Sequence, residues 1–145
     1  MALKIDSTTY DKAAHFPVNH GYSVRATPPT SLVIHSTNNS KKNTLFANEA
    51  KFLYESPDVS ADFLVGKDGK IVQFLDSSRY QAWHAGGRQA NGAWTAKPAF
   101  ANARSIGIEL HHSIGDGRYP VAQEDALTAL TRMLMARFII AISLL

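Results

Sequence analysis

The sequence predicts a mixed α/β domain, and three observations carry that prediction. An apolar run at 31–36, two β-rich runs about the turn Gly66-Lys67-Asp68-Gly69, and an alternating run at 105–111 read as strands. Two stretches with helical apolar spacing lie between and after them, at 44–56 and 123–137. The order is therefore strand, helix, hairpin, strand, helix. With 145 residues, 45% hydrophobic and 19% charged, the chain reads as one globular domain rather than a disordered segment.

Taken in order, the first 30 residues are mixed and turn-rich, and Pro28 and Pro29 fix an extended approach to the first core strand. Ser31 to Ser36 (SLVIHS) reads as a buried strand that ends in the polar loop Thr37 to Asn43. A helix comes next from a Thr44 cap, with Leu45, Phe46, Phe52 and Leu53 as its apolar face, and Pro57 stops it. Ala61 to Val65 and Lys70 to Leu75 form the hairpin, the clearest local signal in the chain. Residues 86–104 contain Gly86, Gly87, Gly92 and Pro98 and read as a long loop. Ser105 to His111 places Ile106, Ile108 and Leu110 on one side and Gly107, Glu109 and His111 on the other, as a half-buried strand does. After the Gly115-Asp116-Gly117 turn, Ala126, Leu127, Leu130, Leu134 and Phe138 mark an amphipathic helix from about Gln123 to Arg137. The tail Phe138 to Leu145 (FIIAISLL) is apolar, but a bilayer span needs about 20 such residues.

The net charge of +3 is a mild basic bias. It suits an anionic polymer, but the basic residues are scattered and Lys41-Lys42 is the one adjacent pair, so neither nucleic acid nor membrane is an expected partner. The absence of cysteine excludes disulfides and thiolate metal sites. The opening stretch carries Asp6 and Asp11 and no apolar run, unlike a secretory signal. The expectation is a cytoplasmic or phage-encoded protein released by another route. Oligomeric state is not written in the sequence.

Singly, the candidate site residues leave two readings open. His35 ends an apolar strand, a place for a metal ligand or general base, and equally for a histidine held by a backbone partner. Glu109 interrupts an apolar strand and is either paired or catalytic, since burying a carboxylate is costly. His84, between Trp83 and Ala85-Gly86, lines a site or caps a turn. His111 shares the face of Glu109, and His112 points the other way.

Together, SLVIHST (31–37), VSADFLVGKDGKIVQFLD (59–76), AWHAGG (82–87) and SIGIELHHS (105–113) occur in an order and spacing similar to the type-2 N-acetylmuramoyl-L-alanine amidases. These include phage lysozyme-type amidases, bacterial anhydro-muropeptide amidases and animal peptidoglycan recognition proteins. The resemblance spans roughly residues 30–138. It implies a mixed sheet flanked by helices, with Zn2+ in a groove at one sheet face and peptidoglycan or a muropeptide as the bound partner. His35 matches the first zinc ligand, and Glu109 matches the acid beside the zinc-bound water. Ala61 stands where phage relatives carry a catalytic tyrosine, which leaves the glutamate version of the mechanism. His84 matches a groove histidine that contacts substrate, and Asn102 lies in the loop leading into the same groove.

The family's further zinc ligands and an oxyanion-stabilising lysine come after its last long helix, in a pattern Gly-His-x-Asp-Ile-x-Pro-Gly-Arg-Lys. Here the sequence leaves that pattern near Phe138. The resemblance therefore leaves two expectations: a truncated zinc amidase with weakened metal binding and activity, or a non-catalytic peptidoglycan-binding module. Recruitment of His111, or ligands from a partner chain, would be a departure from the family.

Overall fold

A computed structural model describes residues 3–85 and 101–140 of the chain. A four-stranded sheet runs in the order β2 (Ser31–Ser36), β6 (Ser105–Leu110), β3 (Phe63–Val65), β4 (Ile71–Gln73). β6 lies parallel to both β2 and β3, and β3 pairs antiparallel with β4 across the hairpin. The turn places Gly69 at φ +88°, a conformation glycine adopts without strain, and Asp68 Oδ1 accepts the Lys70 N–H. The sheet is thus mixed, as the sequence predicts, and the hairpin strands are shorter than the apolar runs that mark them.

Helices cover both faces. On one side α2 (Phe46–Glu55) packs with Tyr22, Ala50, Leu53, Leu64, Val72 and Phe74. On the other, α3 (Val121–Phe138) sets Leu130 and Leu134 against Phe63, Val65, Ile106, Ile108 and Leu110. Gln123, fully buried in the first turn of α3, donates from Nε2 to the carbonyls of Val65 and His111 and fixes the helix on the sheet ends. Among the described residues no helix is long and apolar enough to cross a membrane.

Four sequence expectations need correction. β6 is buried on both faces rather than half-buried, because it is a central parallel strand with α3 against Ile106, Ile108 and Leu110 on one side and the His84 ring over Gly107 on the other. β2 is an edge strand rather than a buried one: α3 sits over β3, and Ile34 remains 48% exposed. Thr44 does not cap α2. Leu45 occupies the cap position without a side-chain bond, and the Thr44 hydroxyl pairs instead with His111 Nε2 and Ser113 Oγ. The buried stripe of α2 is Glu49, Ala50 and Leu53, whereas Leu45 and Phe52 face solvent.

The N-terminal stretch is also more ordered than its composition suggests. α1 (Lys12–His15) is capped by Asp11, and β1 (Tyr22–Val24) pairs antiparallel with β5 (Tyr80–Ala82). The Lys12 side chain is fully buried, and its Nζ donates to the carbonyls of Leu53 and Ser56 at 2.8 and 2.7 Å, which closes the C-terminal end of α2. Of the long loop predicted at 86–104, residues 86–100 lie outside the described residues, and Asn102–Arg104 form a 3-10 turn. The apolar tail is described only to residue 140, with Ile139 in a left-handed conformation at the end of α3.

Candidate active site

The α2 face of the sheet carries the odd-numbered residues of β6, Gly107 and Glu109, beside Val33 and His35 of β2 in register. Parallel pairing sets His35 directly opposite Glu109, although the two are far apart in sequence. A third element completes the cluster. The chain leaving β5 folds over the sheet and lays the His84 ring on Gly107, where a Cβ would stand 2.3 Å from His84 Cγ. Only a residue without a side chain leaves room for that ring.

His84 is held at three points of its own and at a fourth through its neighbour Ala85. Its Nε2 lies 2.9 Å from Ser105 Oγ, whose own proton goes to the Ala101 carbonyl, so Nε2 is the donor. Nδ1 must then accept, and its partner is His35 Nε2 at 3.0 Å. The backbone N–H groups of His84 and Ala85 both donate to Asn102 Oδ1, at 3.0 and 2.8 Å. The stretch 102–107 that supplies these anchors is itself fixed from beneath. Arg25, 7% exposed, donates to the carbonyls of Tyr80, Asn102, Ala103 and Ser105. Asp62, fully buried, accepts the Gly107 N–H and the Ser77 hydroxyl.

A groove of about 690 Å³ opens beside this cluster, and Glu109, Glu49, His84, Asn102, Trp83 and Asp58 are among the residues lining it. Burial, and then the charge of Glu49, push the Glu109 carboxyl up to about 7. Its Oε2 is buried with no hydrogen-bond partner among the described residues. Glu49 is held by the Asn39 side-chain amide at 2.8 Å. Burial, with His35 and Arg25 nearby, pulls His84 down to about 3, so the ring is neutral at physiological pH. Burial also lowers His35. The arrangement offers one carboxyl poised to exchange a proton near neutrality, facing a groove large enough for a peptide and a sugar.

Residues 25–143 match the family described as N-acetylmuramoyl-L-alanine amidase. The chain belongs to that family. One curated relative is the 1,6-anhydro-N-acetylmuramyl-L-alanine amidase of Enterobacter cloacae, 36% identical over 80 residues, which are 55% of this chain and 39% of the relative. This chain's match therefore spans well under half of that protein. Among solved structures, an anhydro-muramyl amidase derivative is 28% identical with a TM-score of 0.55, covering 85% of this chain and 73% of that one. The endolysin of Thermus scotoductus bacteriophage Ph2119 shares the fold at a TM-score of 0.63 and 17% identity, over 96% of this chain and 82% of its own.

The amidase resemblance implies zinc, and the donor set can be tested against it. A catalytic zinc takes three protein ligands and keeps one open position. Among the described residues no group of three histidine, aspartate or glutamate side chains converges to hold a metal. His35 Nε2 is engaged by His84, and His111 turns to Thr44 and packs on Phe46. The described residues thus do not by themselves fit a zinc centre.

Of the four residues singled out in the sequence, His84, Asn102 and Glu109 line the groove, and His35 joins them through its bond to His84. Sequence reasoning missed Glu49, Arg25 and the supporting role of Asp62, and it placed Gly107 on the face of Glu109 without the His84 contact. A signal for Glu49 was present: it falls on the helical stripe Phe46, Glu49, Ala50, Leu53, where a carboxylate is out of place on a buried face.

Proposed function

We propose that the chain is a peptidoglycan amidase domain that hydrolyses the amide joining the lactyl group of N-acetylmuramic acid to the L-alanine of the stem peptide. The observation that carries this reading is Glu109, a partly buried residue that lines the groove, whose Oε2 has no hydrogen-bond partner among the described residues and whose carboxyl burial pushes up to about 7. Its ionised form takes a proton from water as the water oxygen attacks the lactyl carbonyl carbon. The C–N bond then breaks, and the same carboxyl returns the proton to the alanyl nitrogen, giving a carboxylic acid and an amine, which at neutral pH exchange a proton to become carboxylate and ammonium. His84 and the Asn102-held backbone orient the substrate from the facing wall, and Phe52 and Val59, 57% and 41% exposed, supply an apolar rim. His35 is the position at which the family resemblance supplies a zinc ligand.

A second reading, a peptidoglycan-binding module without catalysis, is favoured by one observation: no three-ligand group converges among the described residues. Turbidity loss of purified peptidoglycan, sedimentation with sacculi, and metal analysis of the purified protein separate the two. The amidase reading expects cleavage by the wild type that Glu109→Gln lowers about a hundredfold or more while sacculus binding persists. Binding without cleavage by the wild type selects the module, and loss of both refutes the two readings together.

A further inference from the structure

Arg25 makes no ion pair among the described residues and lies beneath the groove rather than in it. Its guanidinium instead donates to the segment that anchors His84 and to the strand that delivers it. Nε donates to Tyr80 O in β5, the strand from which His84 emerges. Nη1 reaches Asn102 O and Ala103 O at 3.4 and 3.2 Å, and Nη2 reaches Ser105 O at 2.9 Å. Asn102 and Ser105 are two of the three residues whose side chains hold His84, one by the backbone and one by the ring, the third being His35. The carbonyls at 102, 103 and 105 are brought to one side by the 3-10 turn, and a planar fork with several fixed donors can take them all at once. Lysine has the charge but a single donor centre, and it cannot span them.

We propose that Arg25 is a positioning residue for the groove: it gathers the 102–105 carbonyls so that Asn102 and Ser105 present their oxygens to His84. The role of His84 as a substrate contact rests on the proposed function above, whereas its placement by Arg25 does not. The chain of contacts runs Arg25, then the 102–105 backbone, then Asn102 Oδ1 and Ser105 Oγ, then His84, then His35. When it is cut, the His84 ring loses the partner that keeps its proton on Nε2, and the wall of the groove opposite Glu109 shifts. Loss of one hydrogen bond from a contacting group weakens binding by about tenfold.

The test compares wild type, Arg25→Lys and Asn102→Ala by long-range ¹H–¹⁵N spectra of the histidine rings and by sedimentation with purified sacculi. In wild type the His84 signals should report a single Nε2-protonated ring. Arg25→Lys should give averaged His84 signals with a folded spectrum elsewhere, and sacculus affinity lower by about 10-fold. Asn102→Ala removes one anchor without disturbing the buried guanidinium, and it must reproduce the ring change even where Arg25→Lys does not fold. An Arg25→Lys variant with unaltered His84 signals, or an Asn102→Ala variant whose ring stays fixed, overturns the assignment. Should wild type bind no sacculi while its His84 ring responds as described, the proposed function fails and the positioning role stands.

Discussion

Gly107→Ala tests the packing on which the site depends. The added Cβ would lie 2.3, 2.6 and 2.7 Å from Cγ, Cδ2 and Nδ1 of His84, where ordinary contact begins at 3.4 Å. The ring must therefore retreat by roughly 1 Å, since the strand beneath it is locked by Asp62 and by both neighbouring strands. Its two hydrogen bonds, 3.0 Å to His35 and 2.9 Å to Ser105, cannot both survive that movement. Overpacking of this kind costs about 1–3 kcal/mol and each lost neutral hydrogen bond about 1 kcal/mol. A loss of about 2–4 kcal/mol in unfolding free energy is expected from urea denaturation, together with a fall in peptidoglycan cleavage of about tenfold or more. The strand itself tolerates alanine, so a variant with a wild-type unfolding midpoint and wild-type cleavage would refute the placement of His84 on Gly107.

Other parts of the molecule give three further outcomes. Lys12→Met leaves the Leu53 and Ser56 carbonyls without their buried donor and should lower stability by about 2–4 kcal/mol in the same assay. Burial pushes Asp62 up to about 6 from its ordinary 3.8, so its contribution to stability is greatest below that ordinary value and declines as pH rises to about 6. The stability difference between wild type and Asp62→Asn should therefore narrow from pH 4 to 6 and stay level above; a difference that widens over that interval would contradict the burial of the charge. Glu109 must be ionised to accept a proton, so cleavage should rise with pH to a midpoint near 7. Glu49→Gln removes the neighbouring negative charge and should move that midpoint down; an unmoved midpoint would show that the two carboxyls do not sense each other.

The sheet was legible where local chemistry and burial point the same way. The hairpin about Gly69, the alternating run at 105–111 and the stripe of α3 are each specified within a short window. The pair β1 and β5 was not, because each strand has three residues, too few for periodicity, and its partner lies far along the chain. The apolar run of β2 resembles a buried strand because hydrophobicity reports what a segment prefers and not which sheet position it receives. Of the site, His35, His84 and Glu109 were singled out through their motifs and Asn102 through the loop between them, and the structure brings the four together. Arg25 and Asp62 were not, since their partners are mostly backbone groups that no side-chain pattern reveals.

The parallel pairing of β2 with β6 has a kinetic consequence. His35 and Glu109 become neighbours only when strands separated by about half the chain close on each other, the most entropically demanding contact in this sheet. The β3–β4 hairpin and α3 form from nearby residues and reach native structure without that closure. A refolding chain can therefore regain most of its helical signal before it owns a binding groove. Recovery of function then times the last zippering of the sheet, while circular dichroism times its beginning.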